Sequence, residues 1–306
     1  MYKIRKTFTA IILFSAAAIL MVACNKEDDR IEEEQIKLRE YLEQMGYSET
    51  EPTSSGLYYV VLQESEGPSP VRSDFVTINF TGRLIDGTVF DTSDREYAIA
   101  NGVERDDKLY GPYKFLMENM TIAGMREGMT MMNEGEISRI IIPSNLAFGS
   151  SSVGIIPPFS TLIYDVELLE VINDPVEHEQ TLLEAFLEEN EVEVEPETSG
   201  LYYIEEEEGV GNLPQNNEVV TLHYKASLID GRVFDQSESG NPLDINLVHS
   251  ANYIPGFIEG IKKMRKDGKA RLIIPSEIGY GSLGSYEGIV PPYSTLIFDV
   301  EIVNIN

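Results

Sequence analysis

The chain contains one unit written twice, and that repetition limits its fold more than any other feature. Ile31-Glu32-Glu33-Glu34-Gln35 is answered 145 residues later by Val176-Glu177-His178-Glu179-Gln180. Ser55-Gly56-Leu57-Tyr58-Tyr59 returns as Ser199-Gly200-Leu201-Tyr202-Tyr203, and Leu84-Ile85-Asp86-Gly87 as Leu228-Ile229-Asp230-Gly231, both at an offset of 144. Ile156-Pro157-Pro158-Phe159-Ser160-Thr161-Leu162 matches Val290-Pro291-Pro292-Tyr293-Ser294-Thr295-Leu296 at an offset of 134, so the first copy carries ten extra residues net. A unit of roughly 130 residues is the size of a domain, not of a solenoid repeat. The 306 residues and 42% hydrophobic content suit two domains with cores of their own.

Each copy opens with an amphipathic pattern. Ile31, Gln35, Leu38 and Leu42 fall at helical spacing, as do Leu182, Leu183, Phe186 and Leu187, with strong helix formers between them. These acidic helices read as elements that link and space the domains. Strands follow. Phe75–Phe80, Val219–Tyr224, Ile137–Ile142 and Ala270–Ile274 are rich in residues that suit a pleated sheet, and Asp-Gly in each Leu-Ile-Asp-Gly fits a hairpin turn. Thr161–Val171 and Thr295–Val303 close the two copies, and one short helix, Phe257–Met264, interrupts the strands of the second. The expected fold class is α+β: two tandem domains, each an antiparallel sheet wrapped over one short helix and each preceded by an acidic helix.

The N-terminus reads as a secretory signal. Lys3, Arg5 and Lys6 precede an uncharged run of 15 residues, Phe8–Val22, which is too short to span a bilayer as a mature helix (about 20 residues). The run ends Val22-Ala23-Cys24, which resembles a bacterial lipobox, with Cys24, the one cysteine, as the lipidated residue. Removing residues 1–23 takes away three basic and no acidic side chains, moving the net charge from −29 to −32. That charge argues against nucleic acid as a partner and leaves the lipid on Cys24 as the route to a membrane. Cys24-Asn25-Lys26-Glu27-Asp28-Asp29 resembles the export signal of surface lipoproteins in Bacteroidetes-type bacteria. The expected location is the cell envelope, lipid-anchored, at the outer membrane; the acidic string reads either as a signal for surface exposure or as a plain solvated tether.

The second copy reads His223-Tyr224, Asp230-Gly231-Arg232-Val233-Phe234-Asp235, Ile254-Pro255-Gly256-Phe257, Gly279-Tyr280-Gly281, Gly288-Ile289-Val290-Pro291-Pro292 and Thr295-Leu296-Ile297-Phe298-Asp299-Val300. In this order and spacing the set resembles the FKBP-type peptidyl-prolyl isomerases. The resemblance covers about 55–172 and again 198–306, so the chain divides into a signal (1–23), an acidic tether and helix (24–54), domain 1 (55–172), a helical linker (173–197) and domain 2 (198–306). It implies catalytic roles for Asp235, Tyr280 and the backbone N–H of Ile254, in a bowl formed by Tyr224, Phe234, Tyr253, Phe257, Ile289, Val290 and Phe298. Family members carry tryptophan where Phe257 stands. Composition alone would assign Phe234, Phe257 and Phe298 to a core.

Domain 1 departs from the pattern. Its pocket would be Phe80, Phe90, Asp91, Ile122, Met125, Phe148 and Tyr164, with Phe80 in place of Tyr224, Phe148 in place of Tyr280 and Met125 as the floor. Asp91 and Met125 are 34 residues apart against 22 between Asp235 and Phe257, so twelve residues are inserted beside this pocket. The nearby Met129, Met131 and Met132 read as core filling. The expected activity is isomerisation of X-Pro bonds in envelope or secreted polypeptides, without cofactor or metal. Its rivals are a non-catalytic chaperone that holds proline-containing segments, and a scaffold. Gly279–Gly284 matches G-x-G-x-x-G without the strand-then-helix setting a dinucleotide needs. His178, His223 and His249 lie in different elements and do not suggest a metal site.

Overall fold

The computed structural model describes residues 27–285 and 288–306; the signal segment and Cys24 lie outside them. The chain divides into two compact units: the chain up to Arg72 with Ile78–Glu104 and Met117–Val171, and Ser73–Thr77 with Arg105–Leu116 and Ile172–Asn306.

Two antiparallel six-stranded sheets share one topology. The first comprises β1 (Tyr58–Gln63), β2 (Phe75–Leu84), β3 (Val89–Thr92), β4 (Tyr113–Leu116), β5 (Ile137–Ile142) and β6 (Leu162–Ile172). Its order is β1-β5-β6-β2-β3, with β4 also on β2. The second comprises β7 (Tyr202–Glu207), β8 (Val219–Leu228), β9 (Val233–Gln236), β10 (Leu243–Asn246), β11 (Lys269–Ile274) and β12 (Leu296–Ile305). Its order is β10-β8-β12-β11-β7, with β9 on β8. The fold is α+β, as the repeat pattern predicts. The four-residue strands β3, β4, β9 and β10 were not foreseen, because so short a stretch carries too few alternations to register as a period.

Helices cover both faces of the central strands. On one face of the second sheet lies α5 (Pro255–Ile261), whose Phe257 and Ile261 join Leu222, Ala226, Ile245, Leu272, Phe298 and Val300 in a buried core. Gly256 and Gly260 face the strand: a Cβ on Gly256 would stand 2.6 Å from Ile274 Cγ2, and one on Gly260 2.3 Å from Leu272 Cδ1. These two glycines let the helix settle against the sheet. Gly124 and Gly128 do the same for α3 (Ala123–Met129) over Ile142 and Ile140 in the first sheet.

On the opposite face of each sheet lies the acidic helix. The helix over residues 27–44, α1, places Leu38 and Leu42 against Ile141 and Ile163. In the second unit α4 (Pro175–Glu189) places Leu183 against Ile273 and Ile297, with Phe186 and Leu187 alongside. Each helix is thus part of its own domain's packing, beyond the spacer role expected from sequence. Ile31 and Leu182, assigned to the apolar faces, are exposed instead. Covering both faces also explains the unbroken Ile140-Ile141-Ile142 run: alternate residues point to different helices, and neither face needs a polar side chain. Asp174 caps α4 by accepting from the N–H groups of Val176 and Glu177 at 3.1 Å, with Pro175 in the first turn.

The insertion in the first copy opens with a short helix, α2 (Arg95–Ala100), capped by Asp94, which accepts from Tyr97 N at 2.9 Å. Only Ala98 of that helix is buried. Met125, Met129 and Met132 are buried, as core filling requires, whereas Met131 is exposed.

Candidate active site

In the second unit β8 and β12 supply the site's floor. Tyr224 pairs with Val300 and Ala226 with Phe298 across the two strands, so Tyr224, Ala226, Phe298 and Val300 share one face. Phe257 reaches that face from α5. Its ring centroid is 4.8 Å from that of Phe298 and 6.1 Å from that of Tyr224, and Tyr224 stacks on Phe298 at 6.2 Å.

The third wall depends on a β-bulge. Between β8 and β9 the register runs Ala226 to Asp235 and then Ser227 to Val233, leaving Phe234 without an opposite residue. A bulge re-aims side chains that strict alternation would send to opposite faces. Here Phe234 meets Phe298 edge-on at 6.1 Å, while its neighbour Asp235 accepts a hydrogen bond from the Tyr224 hydroxyl at 2.6 Å. The other Asp235 oxygen accepts from Gln236 N at 2.9 Å. The same bulge recurs at Phe90 in the first unit.

Ile254 stands at the N-cap of α5 in extended conformation, where backbone N–H groups have no partner within the helix. Its side chain and that of Tyr253 pack against the core cluster, and Val290 is buried in it. Ile289 is half-buried in the loop beside Val290. Tyr280 follows a 3-10 turn, Ser276–Ile278, and is 37% exposed. Burial pushes its phenol above the ordinary range and the charge of Asp235 adds to the effect. Burial likewise raises the Tyr224 phenol, followed by its hydrogen bond to Asp235. Both phenols therefore remain neutral donors throughout the physiological range.

The first unit assembles the same positions with different chemistry. Phe90 meets Tyr164 edge-on at 5.5 Å, and Phe80 lies 6.2 Å from Tyr164. Phenylalanine at position 80 lacks the hydroxyl that Tyr224 gives to Asp235. The phenol has instead moved across the sheet to Tyr164, where the second unit has Phe298. That phenol is raised by burial and, secondarily, by the charge of Asp91. Gly82 stands where the second unit has Ala226, and a Cβ there would fall 2.4 Å from the Phe90 ring. Phe90 thus rests directly on the backbone of β2. Met125 is buried beneath, Ile122 caps α3 as Ile254 caps α5, and Phe148 is half-buried without a hydroxyl. The exchange of Tyr224 for Phe80 was read from sequence; the role of Gly82 and the opposite exchange of Phe298 for Tyr164 were missed, although aligning the two copies puts both in view. Among the described residues no group of three His, Cys, Asp or Glu side chains converges as a metal site.

A short helix laid over a curled antiparallel sheet, with aromatic residues converging between them and an Asp at the rim, defines a class of small pocket-bearing domains. The family is settled by comparison: the FKBP-type peptidyl-prolyl cis-trans isomerase model matches residues 67–169 and 211–303, and the chain belongs to that family. It is 30% identical over 270 residues to mouse peptidyl-prolyl cis-trans isomerase FKBP10, covering 85% of this chain and 40% of that protein. It is 43% identical over 113 residues to the Escherichia coli isomerase FkpA, covering 37% of this chain and 40% of the relative. The chain therefore spans about two fifths of the length of these relatives. Among solved structures, E. coli FkpA matches with a TM-score of 0.39 and 32% identity, covering 56% of this chain and 72% of that one. The three FKBP domains of wheat FKBP73 match with a TM-score of 0.34 and 22% identity, covering 83% and 96%.

Proposed function

We propose that this chain is a peptidyl-prolyl isomerase that assists the folding of envelope or secreted polypeptides, with turnover carried by the second unit. The observation that supports this most is the Tyr224–Asp235 hydrogen bond of 2.6 Å at the rim of a bowl floored by Phe257 and Phe298. Rotation about an X-Pro bond faces a barrier of about 18–20 kcal/mol because amide resonance is lost on the way. No nucleophile is needed. The apolar bowl strips water from the proline ring and its amide, and loss of solvation favours the twisted amide, whose carbonyl and nitrogen are less polar than those of the planar form. In this reading the Tyr280 hydroxyl and the Ile254 N–H hold neighbouring substrate carbonyls while the bond turns. Asp235 fixes Tyr224 so that the wall does not yield.

The first unit, without hydroxyls at positions 80 and 148, suits binding of proline-containing segments more than their turnover. In the full chain Asp235→Ala should remove most isomerisation of a proline-containing tetrapeptide, and Asp91→Ala should remove little. The reverse ranking would move turnover to the first unit. Absence of turnover in folded wild-type chain would favour the chaperone reading for both units. Attachment to a membrane rests on the lipobox resemblance at Cys24: expressed in a bacterium fed labelled palmitate, the protein should take up label and the Cys24→Ser variant should not.

A further inference from the structure

The two acidic helices each bury one glutamate, and the pocket chemistry above uses neither. Glu179 on α4 is 9% exposed and accepts hydrogen bonds from Ser276 and Thr295, the two ends of the loop 276–295. One oxygen accepts from Ser276 N at 2.8 Å and from the Thr295 hydroxyl at 2.8 Å; the other accepts from the Ser276 hydroxyl at 2.5 Å. Ser276 and Thr295 are themselves buried. That loop carries Tyr280, Ile289 and Val290, and Thr295 leads directly into the strand that bears Phe298.

Glu34 on α1 repeats the arrangement. It accepts from Ser144 N at 2.7 Å, from the Ser144 hydroxyl at 2.5 Å and from the Thr161 hydroxyl at 2.8 Å. Ser144 and Thr161 open and close the loop that carries Phe148. Charge-assisted bonds to a buried carboxylate are roughly twice as strong as neutral ones, and a carboxylate left with its donors removed is costly to bury. A helix that needed only to pack on the sheet would need only its leucines. The glutamate ties it to the loop instead.

We infer that Glu179 is a positioning residue of the second pocket, closing the loop 276–295 at its base and thereby setting where the Tyr280 hydroxyl stands, with Glu34 doing the same in the first. This rests on the isomerase reading for its effect on turnover, though not for its effect on the loop. The acidic helix is then a working part of each pocket's wall.

The test compares full-chain Glu179→Ala and Glu179→Gln with Ile245→Val, a core change in β10 that lowers stability and leaves all three hydrogen bonds to Glu179 in place. Amide hydrogen exchange and tetrapeptide turnover are read together. In Glu179→Ala the amides of Gly279, Gly281 and Tyr293, which bond within the loop, should exchange faster while those of β8 and β11 stay protected. Turnover should fall about fivefold or more, the equivalent of one lost hydrogen bond. Glu179→Gln, which keeps an acceptor oxygen, should recover part of both. Glu34→Ala should free the loop 144–161 in the same way. If Glu179→Ala does not fold, Thr295→Val removes one donor and carries the same comparison. Loop amides that exchange in step with the strands, as in Ile245→Val, would overturn the inference. A wild-type chain without turnover would sink the isomerase reading alone, because the exchange contrast still decides the clamp.

Discussion

At the scale of single residues, the second pocket turns on where hydroxyl groups stand. Tyr280→Phe leaves the ring and removes the donor, so turnover should fall by about fivefold with no change in the urea midpoint. Unchanged turnover would remove Tyr280 from its role. A second consequence concerns alkaline pH. Burial raises the phenols of Tyr164, Tyr224 and Tyr280 in the folded chain. An unfolded tyrosine loses its proton near pH 10, while these keep theirs, so above about pH 10 the folded state binds more protons and stability falls as pH rises. Urea midpoints measured from pH 9 to 11 should show that decline, and Tyr164→Phe should flatten part of it. Much of the second candidate site was legible in sequence because Phe234, Asp235, Ile254, Phe257 and Tyr280 sit in ordered motifs. What was not legible is why adjacent Phe234 and Asp235 both serve one pocket. Nothing in Val-Phe-Asp announces an unpaired residue, and the bulge appears only once β9 is registered against β8.

At the scale of elements, the decisive fit is between α5 and β11. Adding a methyl at Gly260 would bring it to 2.3 Å of Leu272, so Gly260→Ala must shift the helix or the leucine. Overpacking of this kind costs about 1–3 kcal/mol, and a urea midpoint that fell by less would show that the contact yields cheaply. Because α5 carries Phe257 and is capped by Ile254, the same variant should lower turnover. The helix itself was readable from sequence. Its closeness to the sheet was not read, although glycines four apart in both copies (Gly124 and Gly128, Gly256 and Gly260) were available as the signal. The acidic helices were found by periodicity alone, which identifies an apolar face but not what a buried glutamate on that face holds.

At the scale of the whole molecule, charge dominates. With 52 acidic and 23 basic side chains, self-repulsion opposes the compact state. The Debye length falls from about 10 Å at 0.1 M salt to about 3 Å at 1 M. Sodium chloride over that range should therefore raise the urea midpoint. A fall would mean that ion pairs such as Arg271–Asp299, at 2.7 Å, outweigh the repulsion. The tandem organisation was the most legible feature of all, since a duplicated chain supplies its own alignment. That alignment also measures how far the copies have drifted. At Phe80, Phe148 and Tyr164 the two pockets differ from Tyr224, Tyr280 and Phe298 by one oxygen atom each, gained or lost. Phenylalanine and tyrosine codons are a single base apart. The hydroxyl pattern of one pocket can therefore be rewritten into the other in three mutational steps, on a scaffold that already holds the loop and the bulge in place. Duplication has kept the frame and let the ink change.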